Sequence, residues 1–165
     1  MPNRVKLIVL DLDQVLWDHH DATSLALPLR RVDERTLVDA SGDKVFLREG
    51  VRDFLERAKN KGIYLSTCSW NEPDKAIAAL RIFQLDRYFD LLMVEPHPEK
   101  DRMMEKILNH FTPRGVREEE TVFVDDKEEM LEKVRRRYPK IRTLRFHPDG
   151  DVYSFPDLER ILLGG

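Results

Sequence analysis

The chain has 165 residues, 36% of them charged, with 28 Lys and Arg against 31 Asp and Glu; the net charge of −3 excludes the strong basic excess of a dedicated nucleic-acid binder. A chain of this length buries close to 70% of the surface that its unfolded form exposes, enough for one domain (residues 1–165) without a structural metal. Cys68 stands alone, the run before Asp11 is too short for a signal peptide, and no window approaches the roughly 18 apolar residues of a membrane span, so a cytoplasmic protein is expected.

In chain order, residues 5–10 (VKLIVL) predict a buried strand that runs out into Asp11 and Asp13. The next stretch carries no single helix. Extended pieces near residues 35–38 and 44–47, joined by a turn at Ala40-Ser41-Gly42-Asp43, predict a β-hairpin flap over about residues 18–48. Val51, Phe54, Leu55 and Ala58 then follow helical spacing, and Gly62 stands where a helix would end. A strand is expected at 63–67 (IYLST). A helix opening at Pro73 follows, with Ile77, Leu80 and Phe83 on one face.

Another strand is expected at 91–94 (LLMV), then a stripe of Met104, Ile107, Leu108 and Phe111. A strand at 121–124 (TVFV) precedes a stripe of Met130, Leu131, Val134 and Tyr138, stopped by Pro139. A last strand is expected at 141–146, and Ser154 with Asp157 has capping-box spacing before a final helix. The alternation predicts an α/β fold: a three-layer, doubly wound, Rossmann-like parallel sheet, with the flap after strand 1 and no large cap domain.

Polar residues gather where these strands end: Asp11 and Asp13 after the first, Thr67 and Ser69 (STCSW) at the second, Lys100 beyond the third, Asp125 and Asp126 at the fourth. Open α/β sheets bind ligands beyond the carboxyl ends of their strands. Two carboxylates at about 4 Å repel by ~4 kcal/mol at an effective dielectric of 20, a fault that a divalent cation removes. Oxygen ligands without His or Cys favour Mg²⁺. A lysine in a first helical turn opposes the helix dipole unless an anion such as phosphate lies between them, and Thr67 could donate to the same phosphate oxygens.

This order of residues resembles the haloacid dehalogenase (HAD) superfamily of phosphohydrolases. Asp11-Leu12-Asp13-Gln14-Val15 matches its Asp-x-Asp first motif, Thr67 or Ser69 its second, Lys100 its third and Asp125-Asp126 its fourth. DLDQVLW, the short flap, SWNE and VFVDD are most similar to the magnesium-dependent phosphatases, without a cap. Val15 departs from the usual Thr, and Cys68 stands where related sequences often carry Arg.

The resemblance implies a Mg²⁺-dependent phosphatase in which Asp11 attacks phosphorus and Asp13 acts as acid and base. Asp11, the main-chain carbonyl of Asp13, and Asp125 or Asp126 would hold the metal. Thr67, Ser69 and Lys100 would bind phosphate. Trp17, His19, His20, Arg30, Arg31 and Trp70 are candidate substrate contacts, and an open site suits phosphoproteins, with phosphotyrosine among the candidates, or phosphorylated small molecules such as phosphosugars. No nucleic-acid or membrane partner is expected.

Plainer readings compete: Lys100 as a surface lysine paired with Glu99 or Glu95, Thr67 as a sheet threonine, Asp125-Asp126 as helix caps, and Arg135-Arg136-Arg137 as a solvated face. Two other functions compete as well, namely phosphoryl transfer to another acceptor (a phosphotransferase or phosphomutase) and a catalytically idle phosphoprotein-binding module.

Overall fold

A computed structural model describes residues 4–164. The chain runs β1 (Leu7–Leu10), β2 (Trp17–Asp18), β3 (Arg30–Asp33), β4 (Thr36–Val38), β5 (Lys44–Leu47), α1 (Val51–Asn60), β6 (Tyr64–Thr67) and β7 (Ser69–Trp70). It continues with α2 (Pro73–Ile82), β8 (Val94–Glu95), α3 (Lys100–Phe111), β9 (Thr121–Asp125), α4 (Glu128–Arg137), β10 (Arg142–Arg145) and α5 (Phe155–Leu163).

The central sheet is parallel throughout, in the order β10-β9-β1-β6. All four β1 side chains are buried, because helices cover both faces. Ile8 and Leu10 point into one core with Phe54 and Leu55 of α1, Leu80 of α2 and Phe155 and Leu158 of α5. Leu7 and Val9 point the other way, against Met104 and Ile107 of α3 and Leu131 and Val134 of α4. Alternate residues thus serve opposite layers. Each fully buried Leu or Phe contributes about 1.5–3 kcal/mol of transfer free energy, and Phe54 meets Phe155 edge-on at 5.4 Å. The expected helix ends hold: Gly62 has φ +76° just past α1, and Ser154 Oγ accepts the N–H of Asp157 at 3.1 Å.

Two elements differ from expectation. The flap is a four-stranded antiparallel sheet, ordered β2-β5-β4-β3, rather than a two-stranded hairpin. Trp17 and Asp18 pair with Leu47 and Phe46, and Arg30 and Arg31 pair with Val38 and Leu37. Paired outer strands leave fewer open main-chain groups than a lone hairpin.

Residues 91–94 do not form one strand. Leu91 makes a single bridge to Ser66, and Val94–Glu95 pairs with Ser69–Trp70. Main-chain bonds persist from the N–H of Thr67 to the carbonyl of Leu91 (3.2 Å) and from that of Ser69 to the carbonyl of Met93 (3.1 Å), and side chains supply others at this edge. The Asp90 carboxylate accepts the N–H of Leu65 (2.8 Å), and Thr67 Oγ1 accepts the N–H of Met93 (2.8 Å) while donating to its carbonyl (3.0 Å).

Candidate active site

β1 lies between β6 and β9, with Leu10 in register with Thr67 on one side and Val124 on the other. The crossovers leave in opposite directions from here, so a crevice opens at the carboxyl ends of β1 and β9. Asp11 enters it where β1 stops, and its N–H is still held by the carbonyl of Val124 at 3.0 Å. Asp125 closes β9, and Asp126 follows.

Carboxylate oxygens of Asp11, Asp125 and Asp126 all lie within 4.8 Å of one another. Into this cluster reaches Lys100, the first residue of α3, only 2% exposed. Its ammonium donates to Asp11 Oδ1 (3.1 Å), Asp125 Oδ2 (2.9 Å) and the carbonyl of Cys68 (2.7 Å). The surface-lysine reading therefore fails, and the two carboxylates offset the unfavourable end of the α3 dipole.

Burial raises the Asp11 pKa well above the usual range, and the Asp125 charge adds to this while Lys100 opposes it. Burial would lower the Lys100 pKa, but Asp11 and Asp125 more than reverse that, and its net shift is upward. Asp126 is raised too, chiefly by burial.

Asp13 has a different setting. β1 ends at Leu10, so strand alternation does not align the two acids. A turn through Gln14, at φ +63°, does so. Asp13 Oδ1 accepts from Trp17 Nε1 (2.9 Å) and the N–H of Ala22 (3.2 Å), and Oδ2 from Asn71 Nδ2 (3.0 Å). No lysine or arginine is among these partners. Burial raises its pKa, with the bonds from Trp17, Asn71 and Ala22 opposing.

Both acids line one cavity of about 540 Å³, with Lys100, Asp125 and Asp126 at its floor. His20, Asp21 and Thr23 of the flap form one wall, and Trp70, Lys127 and Met130 the other. Trp70 is 47% exposed, and the Lys127 ammonium sits 5.8 Å from its ring centre. His20 and Trp70 thus stand where substrate contacts were expected.

Several expected residues stand elsewhere. Trp17 is fully buried and holds Asp13 instead of facing the cavity. Arg30 lies on β3, the flap strand furthest from β2, and lines no part of the cavity; Arg31 on the same strand bonds the carbonyl of Asp33. His19 is buried against Asp43 (2.9 Å) and the N–H of Asp21 (3.0 Å).

Thr67 and Ser69 are both fully buried and absent from the cavity lining. The Thr67 hydroxyl is committed to Met93 as both donor and acceptor, the sheet-threonine reading. Ser69 Oγ accepts from Asn71 Nδ2 (2.8 Å), beside Asp13. The Asp13 side chain is also outside the acidic cluster, so any part it has in holding a metal falls to its main-chain carbonyl. Asp125 does serve in part as a turn residue, accepting the N–H of Lys127 at 2.9 Å. The Cys68 thiol is buried and its pKa is pushed up to about 12 by burial, which leaves it without nucleophilic character.

Sequence reasoning missed two supports. Asn71 joins Asp13 to the flap. Arg48 donates to the carbonyl of Gln14 at 2.9 Å, with its guanidinium 5.1 Å from the ring centres of both Phe146 and Tyr153. A polar residue at left-handed φ, directly after a candidate acid, is a signal visible only in the backbone.

The residues fit a hard divalent cation. The donor set is three carboxylates with no nitrogen or sulfur, and one ammonium leaves it with excess negative charge.

Fold and site together define a HAD-superfamily hydrolase. A solved HAD-superfamily hydrolase of subfamily IA, variant 1, from Geobacter sulfurreducens PCA aligns over 96% of this chain and 100% of its own, with a TM-score of 0.68 at 19% identity. Another, from Ehrlichia chaffeensis, covers 98% of both chains with a TM-score of 0.64 at 14% identity. The N-terminal part of BF1531 from Bacteroides fragilis, which contains a phosphatase domain and is complexed with Mg, aligns over 85% of this chain and 35% of that one, at 17% identity and a TM-score of 0.57.

The family model for acid phosphatases matches residues 3–138, and the chain belongs to that family of phosphatases. A curated relative named provisionally as the pyrophosphatase PpaX, from Caldanaerobacter subterraneus subsp. tengcongensis, is 33% identical over 85 residues; the match spans 48% of this chain and 37% of the relative. Among the described residues no helix is long and apolar enough to cross a membrane.

Proposed function

We propose that this phosphatase is a Mg²⁺-dependent hydrolase of phosphate monoesters that works through an aspartyl-phosphate on Asp11. The observation that carries this reading is the difference in hydrogen-bond partners between two acids two positions apart in sequence. Asp11 bonds a buried ammonium, whereas Asp13 bonds only neutral donors from an indole, an amide and a main-chain N–H. The first suits a nucleophile, whose charge the ammonium supports, and the second a group that passes a proton back and forth with no cation fixed beside it.

In the first step an Asp11 carboxylate oxygen bonds to phosphorus, the bond to the leaving oxygen breaks, and Asp13 gives that oxygen its proton. In the second, the Asp13 carboxylate takes a proton from water, the resulting hydroxide bonds to phosphorus, and the Asp11 carboxylate leaves. Lys100 neutralises charge on the transferring group. Asp11, Asp125, Asp126 and the Asp13 carbonyl are the residues that would hold Mg²⁺, which when bound supplies charge that keeps Asp11 ionised and screens the phosphoryl oxygens.

The substrate is a phosphorylated small molecule or a phosphoprotein. A half-exposed Trp70 with Lys127 beside it on an uncapped cavity suits phosphotyrosine segments or phosphosugars, and access of water favours hydrolysis over transfer to a second acceptor. The test is turnover of p-nitrophenyl phosphate with Mg²⁺ and with chelator, for wild type and Asp11→Asn. Metal-dependent turnover lost in Asp11→Asn is expected, and activity that survives the substitution rejects the nucleophile. A panel of phosphosugars, a phosphotyrosine peptide and pyrophosphate then sorts the substrates.

A further inference from the structure

We propose that Asn71 is the positioning residue that aims Asp13 at the leaving group and joins it to the flap wall of the cavity. The proposal rests on the reading of Asp13 as the proton donor.

Asn71 is 1% exposed, and every hydrogen-bonding position of its amide is filled. Nδ2 donates to Asp13 Oδ2 at 3.0 Å and to Ser69 Oγ at 2.8 Å. Oδ1 accepts from both the N–H (2.9 Å) and the hydroxyl (2.8 Å) of Thr23. The chemistry fixes the amide orientation. The reverse would set Oδ1 against the Asp13 carboxylate and NH₂ against the Thr23 N–H, two repulsive contacts in place of favourable ones.

The surroundings explain why one side chain matters. Asp13 takes bonds from three elements: Trp17 at the base of the flap, Ala22 in the short turn of the flap, and Asn71 in the segment after β7. Of these donors, Asn71 alone stands outside the flap, and its main chain is tied to the body through the carbonyl of Glu95 at 3.1 Å. Thr23, which Asn71 grips, lines the cavity with His20 and Asp21, and its hydroxyl also accepts the N–H of Glu72 at 2.9 Å. Docking of the flap wall and aim of the acid therefore depend on the same amide. A buried, fully satisfied network of this kind specifies one arrangement, and a gap in it releases several groups together.

The test is the dependence of kcat/KM on leaving-group basicity, measured with a series of phenyl phosphates from p-nitro to p-methoxy. p-Nitrophenolate departs with little help, whereas p-methoxyphenolate needs a proton, so an acid lost from position shows as a steeper dependence. Asn71→Leu is expected to lose less than about threefold on the nitro ester and more than about tenfold on the methoxy ester, with Asp13→Asn as the reference for a missing acid. Equal losses on both esters for Asn71→Leu, with a steepened Asp13→Asn, overturn the role of Asn71 and leave Asp13 as the acid. Equal losses for Asp13→Asn itself overturn the acid reading, and the proposal with it. Thermal melts establish that Asn71→Leu is folded; if it is not, Asn71→Ser, which keeps a hydroxyl but withdraws from Asp13, serves in the same comparison.

Discussion

Replacing Lys100 by Met tests the charge arrangement directly. The side chain is 2% exposed, and its ammonium bonds two buried carboxylates and one carbonyl. Methionine fills a similar volume, so the change removes charge more than packing. Removing one partner of a buried pair costs about 3–5 kcal/mol, because the charge left behind is stranded. For a chain of this size each kcal/mol moves Tm by about 2–4 °C, so a fall of about 6–20 °C is expected in metal-free buffer.

The sign with pH also follows. Asp11 already has a raised folded-state pKa, and loss of Lys100 raises it further. A raised carboxyl costs stability only as pH rises above its unfolded-state value, so the deficit is absent in strong acid and grows as pH rises above about 4. The assay is differential scanning fluorimetry or urea denaturation of wild type, Lys100→Met, Asp125→Asn and the double variant. The double variant should recover part of the loss, with a coupling of more than ~1 kcal/mol. A Lys100→Met melt within about 2 °C of wild type, or strictly additive losses, would refute Lys100 as the compensating charge.

Other outcomes follow from named contacts. Gln14 has φ +63°, so Gln14→Gly should keep its stability within ~1 kcal/mol, whereas Gln14→Val should lose about 1–3 kcal/mol in denaturant melts. Trp17→Phe keeps the buried ring but deletes the 2.9 Å bond to Asp13; kcat is expected to fall about tenfold, with about 1 kcal/mol of stability lost. Thr67→Val strands the N–H of Met93, whose carbonyl keeps the N–H of Ser69 at 3.1 Å, so a loss of about 1–3 kcal/mol in stability with KM nearly unchanged is expected, whereas a large rise in KM would return Thr67 to phosphate binding. Asp39, whose carboxylate takes the N–H of Ala26 and bonds from Ser41 and Asp43, is held down at about 2 from 3.8. A depressed pKa contributes stability above the unfolded value and loses it as pH falls toward the folded one, so Asp39→Asn should flatten the acid limb of Tm against pH.

Much of this was legible in the sequence where a local signal coincided with burial. The run before Asp11, the stripes of α1 and α3, and Gly62 are each read from spacing because one face or one φ decides them. β3 was missed because its pattern is almost wholly exposed and polar, so hydrophobic period says nothing about its pairing with β4. The strand expected at 91–94 failed for the opposite reason. Its apolar run is real, but Asp90 and Thr67 satisfy the main chain through side chains, which no periodicity encodes. Asp11, Lys100, Asp125 and Asp126 could be named in advance because charged groups at strand ends need a reason. Trp17 and Asn71 could not, since their roles lie in contacts to residues 4 and 58 positions away.

Those two contacts also explain why the spacing of Asp11 and Asp13 is productive although the strand stops first. A continuing strand would put both carboxylates on one face, in nearly the same field, and Lys100 would oppose the protonation of both. The turn at Gln14 breaks that equivalence. It leaves Asp11 with the ammonium and carries Asp13 to a bed of indole, amide and main-chain N–H donors. Neutral donors stabilise a carboxylate less than a cation does, and burial raises the Asp13 pKa against them, so Asp13 can take up and give back a proton with no cation beside it. Arg48, pinned between Phe146 and Tyr153, fixes the carbonyl of Gln14 and thus the left-handed turn itself. The separation of a nucleophile from an acid two residues later is in this way a product of one backbone conformation, braced from outside the cavity by a residue that touches neither acid.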